Sequence, residues 1–266
     1  MKLLPEKTLQ GIGYACLRVA VLTYVVFGIL LYVRQDEYIF VPPNSRMENC
    51  PELSDAQIIA MEGTRAYLLQ SGTSTRIAVM YHGNGGSACD EFFTTRWLAS
   101  RGFNVLNVEY AGYAGDTAKP SVDLILEDVA HVVRWVDAGH YSEVLIVGRS
   151  VGSGFASAHA MLAPPERLLL ISPYDSLSQV AQGHFPVYPA KLLMKTNLEN
   201  VVGASTAKRV LVIHGTKDVI IPFERGKSLF DQLSQQDKKF IPATGYGHND
   251  VLDDQAMWSE IDGFLE

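Results

Sequence analysis

The sequence is poor in cysteine and, beyond its N-terminal region, in positive charge. It has three cysteines, Cys16, Cys50 and Cys89, and no two of them stand at the close spacing of a metal site. An odd number with Cys16 in an apolar stretch implies no disulfide framework, and whether Cys50 and Cys89 pair in an oxidising compartment stays open. The net charge is −7, and an acidic body makes nucleic acid an unexpected partner.

Low-complexity tracts and nucleotide-binding signatures are also missing. The glycine-rich stretch at residues 82–86 lacks the lysine and hydroxyl ending of a phosphate loop, so the sequence predicts no cofactor and no metal. What is present is 266 residues with 47% hydrophobic content. That amount suits one large α/β domain with an ample core better than two small domains.

Residues 14–33 form an apolar stretch of 20 residues in which Arg18 is the single charge. This length is enough to cross a bilayer, and Arg18 can reach the near interface. A cleaved signal peptide is the main alternative, but Leu31 to Gln35 offers no small-x-small cleavage site. A buried core helix is a third interpretation, which hydrophobicity around the whole circumference disfavours. The sequence therefore predicts a single-pass membrane anchor over residues 1–36.

The charges around this span favour one orientation. Lys2, Lys7 and Arg18 precede or open the span, whereas Arg34 is followed by two acidic residues. The positive-inside rule weakly favours a cytoplasmic N-terminus and a catalytic body on the non-cytoplasmic side of the membrane.

Residues 37–266 have the pattern of a parallel sheet. A short strand is predicted at Tyr38 to Val41, and a hairpin at residues 57–69. Continuous apolar runs, typical of strands covered on both faces, then recur at residues 77–81, 105–108, 144–147, 168–171 and 210–213. Helical patterns fill the intervals between them. This alternation predicts a doubly wound, mostly parallel sheet with helices on both faces and ligands at the carboxyl ends of the strands.

A candidate nucleophile follows the third of these runs. Ser150 is flanked by Gly148 and Gly152 at the Gly-x-Ser-x-Gly spacing of a nucleophile elbow, where a strained turn leaves no room for side chains. An ordinary glycine-rich turn with a surface serine would match five residues equally well. The assignment therefore depends on partners elsewhere in the chain.

A serine hydroxyl needs a general base and an orienting acid. His248 lies in a glycine-rich loop before the last helix, where packing requires no histidine, and Asp218 follows the strand at residues 210–213. Asp175, after the preceding strand, is the rival acid, and either aspartate also suits an ordinary turn. The chain order Ser150, Asp218, His248 is typical of α/β-hydrolases.

An oxyanion site needs fixed N–H donors for the negative oxygen of a tetrahedral intermediate. The sequence predicts the backbone N–H of Val151, directly after the nucleophile, and that of Asn84 in the glycine-rich loop after the strand at residues 77–81.

These motifs resemble the α/β-hydrolase superfamily. Within it the chain is similar to membrane-associated serine hydrolases of the bud-emergence family and to the α/β-hydrolase-domain protein depalmitoylases. The resemblance rests on His82-Gly-Asn-Gly-Gly86, Glu109-Tyr-Ala-Gly-Tyr113, Gly148-Arg-Ser-Val-Gly-Ser-Gly154, Ser172-Pro-Tyr-Asp-Ser-Leu177, His214-Gly-Thr-Lys-Asp218, Gly247-His-Asn249 and the entry segment Ile39-Phe-Val-Pro42. Ala111 and Ala114 depart from the usual pattern, which puts the shape of that loop in doubt. The resemblance implies ester or thioester hydrolysis and leaves the acyl group unspecified.

A segment at about residues 174–206 stands where many such enzymes insert a lid. Its apolar residues could roof an acyl pocket, or could form helices that simply pack on the sheet. The sequence thus predicts a serine hydrolase with a short lid, acting on an acyl ester or thioester, for which a lipid or an acylated protein is a natural source. A serine peptidase of the same fold and a catalytically idle membrane-bound binding protein are the alternatives.

Overall fold

The structure, a computed structural model, describes residues 6–266, with side chains from residue 10 onward. Lys2 and the Lys7 side chain, on which the orientation prediction draws, lie outside what is described. Nine α-helices occur in this part of the chain: α1 Glu6–Ile39, α2 Phe92–Ser100, α3 Val122–Ala138, α4 Gly152–Leu162, α5 Leu177–His184, α6 Ala190–Leu193, α7 Asn200–Ala204, α8 Phe223–Gln232 and α9 Gln255–Leu265.

Eight strands form one sheet. They are β1 Gln57–Met61, β2 Thr64–Leu69, β3 Arg76–Tyr81, β4 Asn104–Glu109, β5 Glu143–Arg149, β6 Arg167–Ile171, β7 Arg209–Gly215 and β8 Lys238–Ala243. The strand order is β1-β2-β4-β3-β5-β6-β7-β8. β1 and β2 pair antiparallel, β2 pairs antiparallel with β4, and every pair from β4 to β8 is parallel. The prediction of a mostly parallel sheet flanked by helices is confirmed.

The sheet has an apolar core on each face. The larger core lies between one face and helices α3, α4 and α8, with the valines and isoleucine of α3 packed on β2, β3 and β4 side chains. The smaller core lies under α2 and α9 on the opposite face. Because both faces are covered, the central strands are mostly apolar, which explains the apolar runs in the sequence. The buried Asn107 of β4 is an exception, and its side chain donates to the Ala88 carbonyl and the Thr95 hydroxyl.

The first helix is longer than the sequence predicts. α1 runs through Ile39 with a kink at Arg34, so the predicted strand at Tyr38 to Val41 is wrong. The backbone N–H of Phe40 still donates to the Asp36 carbonyl, and the Phe40 ring is buried 6.3 Å from that of Phe155. Contact with the domain core therefore outweighs the strand preference of these aromatic and branched residues. The proposed boundary between residues 36 and 37 falls inside the helix.

A disulfide ties the entry segment to the domain. Cys50 and Cys89 are joined, with Cα atoms 5.8 Å apart, so the expectation that no disulfide is implied needs correction. The pair lies in a small core with Met47, Leu53 and Tyr67, and the Tyr67 hydroxyl donates to the Met47 carbonyl. The sequence alone does not predict this pairing, because the two cysteines are 39 residues apart and only the fold brings their sulfur atoms together.

Candidate active site

Ser150 occupies the apex of a tight turn between β5 and α4. Its φ is 55°, a left-handed conformation that non-glycine residues rarely adopt. A hydrogen bond of 2.9 Å from the Ser150 N–H to the Ile171 carbonyl holds the turn, and the Ser153 hydroxyl donates to the Ser150 carbonyl. The predicted strand–turn–helix context of an elbow is therefore present, with backbone strain centred on the serine.

Two glycines allow this turn to pack. A Cβ on Gly148 would lie 2.7 Å from both the Gly152 carbonyl oxygen and the Ser153 Cα. A Cβ on Gly152 would overlap the carbonyl oxygens of Tyr81 and His82 at the end of β3. The spacing around Ser150 thus reflects the close approach of α4 to β3 and β5.

Ser150, His248 and Asp218 form a chain of hydrogen bonds. His248 Nε2 lies 2.8 Å from Ser150 Oγ, and His248 Nδ1 lies 2.6 Å from Asp218 Oδ2. All three residues are buried, with exposed fractions of 7–8%. The sequence predicted these three residues from separate loops, and the structure brings them together at the carboxyl ends of β5 and β7 and in the loop after β8.

The Asp218 carboxylate is fully engaged. Its Oδ1 accepts the backbone N–H groups of Ile220 and Ile221 at 2.9 and 2.8 Å, and His214 approaches Oδ2 at 3.2 Å. Burial alone would raise the pKa of the Asp218 carboxyl, but hydrogen bonds from His214 and His248, the charge of His248 and the Ile221 amide hold that pKa well below its usual range. The acid therefore stays ionised beside His248.

The rival acid, Asp175, is occupied elsewhere. Its Oδ2 accepts from Ser228 at 2.8 Å and from Arg225 at 3.2 Å, while Oδ1 accepts the Ser176 N–H. These bonds join the start of the lid segment to α8. The geometry favours Asp218 as the partner of His248.

The His248 loop is held against the sheet by its neighbours. Arg149, directly before the serine, donates to the Asn249 carbonyl at 2.8 Å. A Cβ on Gly215, at the end of β7, would enter the Gly247 carbonyl oxygen. These contacts fix the distance between the serine and histidine loops.

The loop predicted to supply the second oxyanion donor also reaches the site. Gly83 packs on Ser150, since a Cβ there would lie 3.5 Å from the Ser150 Cβ. The Asn84 side-chain oxygen accepts from Val41 N, Gly85 N and the Tyr113 hydroxyl at 2.8–3.0 Å. Asn84 and Val151 both line the cavity that holds Ser150, while the donor role of their backbone N–H groups stays a prediction.

Buried polar side chains lie beside this loop. His82 Nε2 lies 3.2 Å from Glu109 Oε1, with both side chains 1% exposed, and the Tyr110 hydroxyl donates to the His82 carbonyl. The two departures from the family pattern lie nearby. Ala114 adopts a left-handed φ of 44°, and the Ala111 N–H donates to Asp128. The chain after β4 therefore forms its turn with alanine at both positions.

Residues that the sequence did not indicate also belong to the site. His214 lies near the end of β7 and resembles an ordinary strand-end histidine, yet it contacts the acid. Tyr38 and Ile39, from the end of α1, line the cavity of about 510 Å³ that holds Ser150. The lid segment contributes Leu177, Val180 and Phe185 among others to the same cavity. No local motif marks these positions, because they reach the site only through the fold.

Comparison with known proteins finds both sequence relatives and structural neighbours. No protein-family profile matches the sequence. An uncharacterized protein of Mycobacterium tuberculosis, Rv2307c, is 27% identical over 263 residues, covering 93% of both chains. The lysophosphatidylserine lipase ABHD12 of Xenopus tropicalis is 27% identical over 226 residues, covering 73% of this chain and 58% of its own. The esterase Pf2001 of Pyrococcus furiosus superposes with a TM-score of 0.66 at 16% identity, covering 85% and 98% of the two chains.

The chain has the α/β-hydrolase fold, and these relatives support its membership of that superfamily. Both the superfamily prediction and the fold prediction are confirmed. The esterase and lipase relatives support an ester-hydrolysing enzyme of this fold.

Proposed function

We propose that this protein is a serine hydrolase that cleaves carboxylic ester or thioester bonds through an acyl-enzyme. The observation that carries the proposal is the hydrogen-bond chain from Asp218 through His248 to Ser150 at the wall of a cavity. Such a chain lets a histidine take the serine proton as the hydroxyl attacks an acyl carbon.

In this mechanism Ser150 Oγ bonds to the acyl carbon while its proton moves to His248. The ionised Asp218 orients the imidazole and stabilises its positive charge. The N–H groups of Val151 and Asn84 stabilise the oxyanion. His248 then gives the proton to the leaving alcohol or thiol, and a water molecule activated by His248 releases the acid from Ser150.

The cavity lining supports an apolar acyl group. Leu177, Val180, Phe185 and Met194 of the lid segment and Ile221 after β7 face it, so an alkyl chain gains free energy there by leaving water. The similarity to the lysophosphatidylserine lipase of Xenopus tropicalis supports a lipid ester as substrate. The segment at residues 174–206 acts as the lid in this proposal.

We also propose that residues 1–36 anchor the enzyme in a membrane as a single pass. The helix from Gln10 to Ile39 is long and apolar enough to cross a bilayer, and none of its most apolar window is buried. The Cys50–Cys89 disulfide supports a catalytic body in an oxidising, non-cytoplasmic compartment. Added protease should then digest the body in sealed right-side-out membranes; protection of the body there would reverse the orientation.

A fluorophosphonate probe tests the nucleophile. Wild-type protein should be labelled, Ser150→Ala should not, and the control Ser234→Ala, which changes an exposed serine, should label like wild type. Equal labelling of Ser150→Ala and wild type would contradict the assignment. Hydrolysis of p-nitrophenyl esters by the same three proteins then shows whether the labelled serine also supports esterase turnover.

A further inference from the structure

The cavity at Ser150 continues along α1. It shares Tyr38, Ile39, Ala181, Phe185 and Met194 with a narrower apolar cavity that reaches Leu31 and Gln35 on α1. That cavity in turn shares Tyr188 and Leu193 with a third, of about 310 Å³, lined by Tyr24, Gly28 and Tyr32. We call these three adjoining cavities, which follow α1 from Ile39 to Tyr24 beside residues 185–194, the lateral groove.

Polar contacts join the two walls of the lateral groove, α1 and residues 187–195. The Gln35 side chain donates to the Leu193 carbonyl at 3.1 Å and accepts the Lys195 N–H at 2.9 Å. Further along α1, the rings of Tyr24 and Tyr188 stack at 4.5 Å, and each hydroxyl donates to a carbonyl across the contact. The walls are thus fixed to each other while the path between them stays apolar.

These contacts fix the position of the lid segment along the axis of α1, and so its depth in the membrane if α1 is the proposed anchor. Charged pairs mark the upper end, where Lys195 lies 3.3 Å from Asp36 and Arg34 pairs with Glu37. From Val33 down to Tyr24 is nine residues, or about 14 Å at 1.5 Å per residue. That is close to half of a hydrocarbon core of about 30 Å. With α1 as the proposed membrane anchor, this depth places residues 187 and 188, beside Tyr24, within the leaflet nearest the catalytic body.

The surface of the lid segment agrees with that depth. Val187 and Leu192 are 70% and 80% exposed, beside a helix whose own apolar side chains are exposed. In water such a surface would be unfavourable, whereas in hydrocarbon it is ordinary. The lower end of the lateral groove therefore opens among lipid tails.

Resting on the proposed function, we propose that the lateral groove binds the acyl chain of a lipid ester resident in this leaflet. The ester reaches Ser150 at the level of the charged pairs while the tail lies along α1. From Ile39 to Tyr24 the path is about 22 Å long by the same rise per residue, which accommodates a long tail. No charged side chain lines the path between its ends, so it suits a hydrocarbon tail rather than a headgroup. Leu31, in the middle of the path, is then a determinant of chain length.

The first test uses the full chain in phosphatidylcholine vesicles with a long-chain lysophospholipid and p-nitrophenyl acetate. Leu31→Trp should lower the ratio of long-chain to acetate turnover by about tenfold or more, because the indole fills the groove. The matched control Leu30→Trp, at an exposed position outside the groove, should keep the wild-type ratio.

Other outcomes separate the two proposals. If both esters are cleaved and Leu31→Trp keeps the wild-type ratio, the lateral groove is not the acyl site. If wild type cleaves neither these esters nor an S-acylated peptide, the proposed function fails and the lipid assignment with it. Cleavage of an S-acylated peptide in the same vesicles, with the lysophospholipid left intact, would overturn a lipid as the occupant.

The second test does not depend on turnover. A tryptophan introduced by Val187→Trp should be quenched by lipids brominated on their acyl chains, beyond the quenching seen with the three native tryptophans. The control Val202→Trp, on α7, which packs against α4 and α8, should add no quenching. Equal signals from the two variants would overturn the placement of the lid segment in the leaflet.

Discussion

His214 Nε2 lies 3.2 Å from Asp218 Oδ2, the same oxygen that His248 contacts. His214 is fully buried and also lies 2.9 Å from the Ile221 carbonyl. One histidine therefore helps to hold the carboxylate that orients the other. This makes His214 a positioning residue in the proposed mechanism.

Replacing His214 by phenylalanine should lower kcat by about tenfold, because the Asp218 oxygen and the Ile221 carbonyl each lose a buried partner worth about 1–3 kcal/mol. KM should change little. Asp218→Asn, measured beside it in p-nitrophenyl ester hydrolysis, should lose about 10³–10⁴-fold. A His214→Phe enzyme as inactive as Asp218→Asn would instead place His214 in the reaction itself.

Gly152→Ala should destabilise the protein by about 2 kcal/mol or more, since the added Cβ would overlap backbone carbonyls that cannot move aside. Gly183→Ala is the matched control. It places a methyl on α5 where no atom lies within 4 Å, and helix preference there favours alanine by up to about 1 kcal/mol. Denaturant unfolding of the detergent-solubilised chain should move the two variants in opposite directions.

Loss of the disulfide should cost about 4 kcal/mol in the chain-entropy model for a loop of this size, where Cys50 and Cys89 are 39 residues apart. Thermal unfolding of Cys50→Ser, with and without a reductant, measures this. Wild type should fall to the level of the variant when reduced. Cys16→Ser should behave like wild type in both conditions, because Cys16 is free.

His159 should make the protein sensitive to acid. Burial lowers the pKa of His159 from 6.5 to about 3. Between about pH 3 and pH 6.5, His159 is therefore protonated in the unfolded chain and neutral in the folded chain. Stability therefore rises with pH across this window and is constant above it. From pH 8 to pH 5 the residue should account for a loss of about 2 kcal/mol.

The measurement compares the free energy of unfolding at pH 5 and pH 8. His159→Gln, which can still bond to the Tyr81 hydroxyl that lies 2.8 Å from the ring, should show a smaller drop than wild type. The exposed His140, changed to asparagine, should not alter the drop. A His159→Gln protein with the wild-type pH dependence would mean that the buried ring is protonated in the folded state.

The sequence predicts the sheet and the three hydrogen-bonded residues because each carries a local signal. Strands covered on both faces are mostly apolar, the turn at Ser150 requires its glycines, and Asp218 and His248 follow strand ends in the expected order. Each of these signals depends on residues only a few positions apart in the chain, so it can be recognised without knowing the fold.

The remaining features depend on contacts between distant parts of the chain. Tyr38 and Ile39 have strand-like composition, but hydrogen bonds inherited from α1 keep them helical. Cys50 and Cys89 meet only after the entry segment packs on Tyr67. The contact between His214 and Asp218 depends on the conformation of the turn at the end of β7. The residues between them show no sequence pattern that predicts that conformation.

The left-handed backbone at Ser150 limits which nucleophiles this position could ever use. A cysteine has the same single substituent on Cβ and fits the turn, so exchange of oxygen for sulfur is sterically open. Threonine adds a branch that is unfavourable at positive φ, even though its hydroxyl is chemically equivalent. The backbone conformation at residue 150 thus restricts which residue types fit this position more tightly than the need for a hydroxyl or thiol group does.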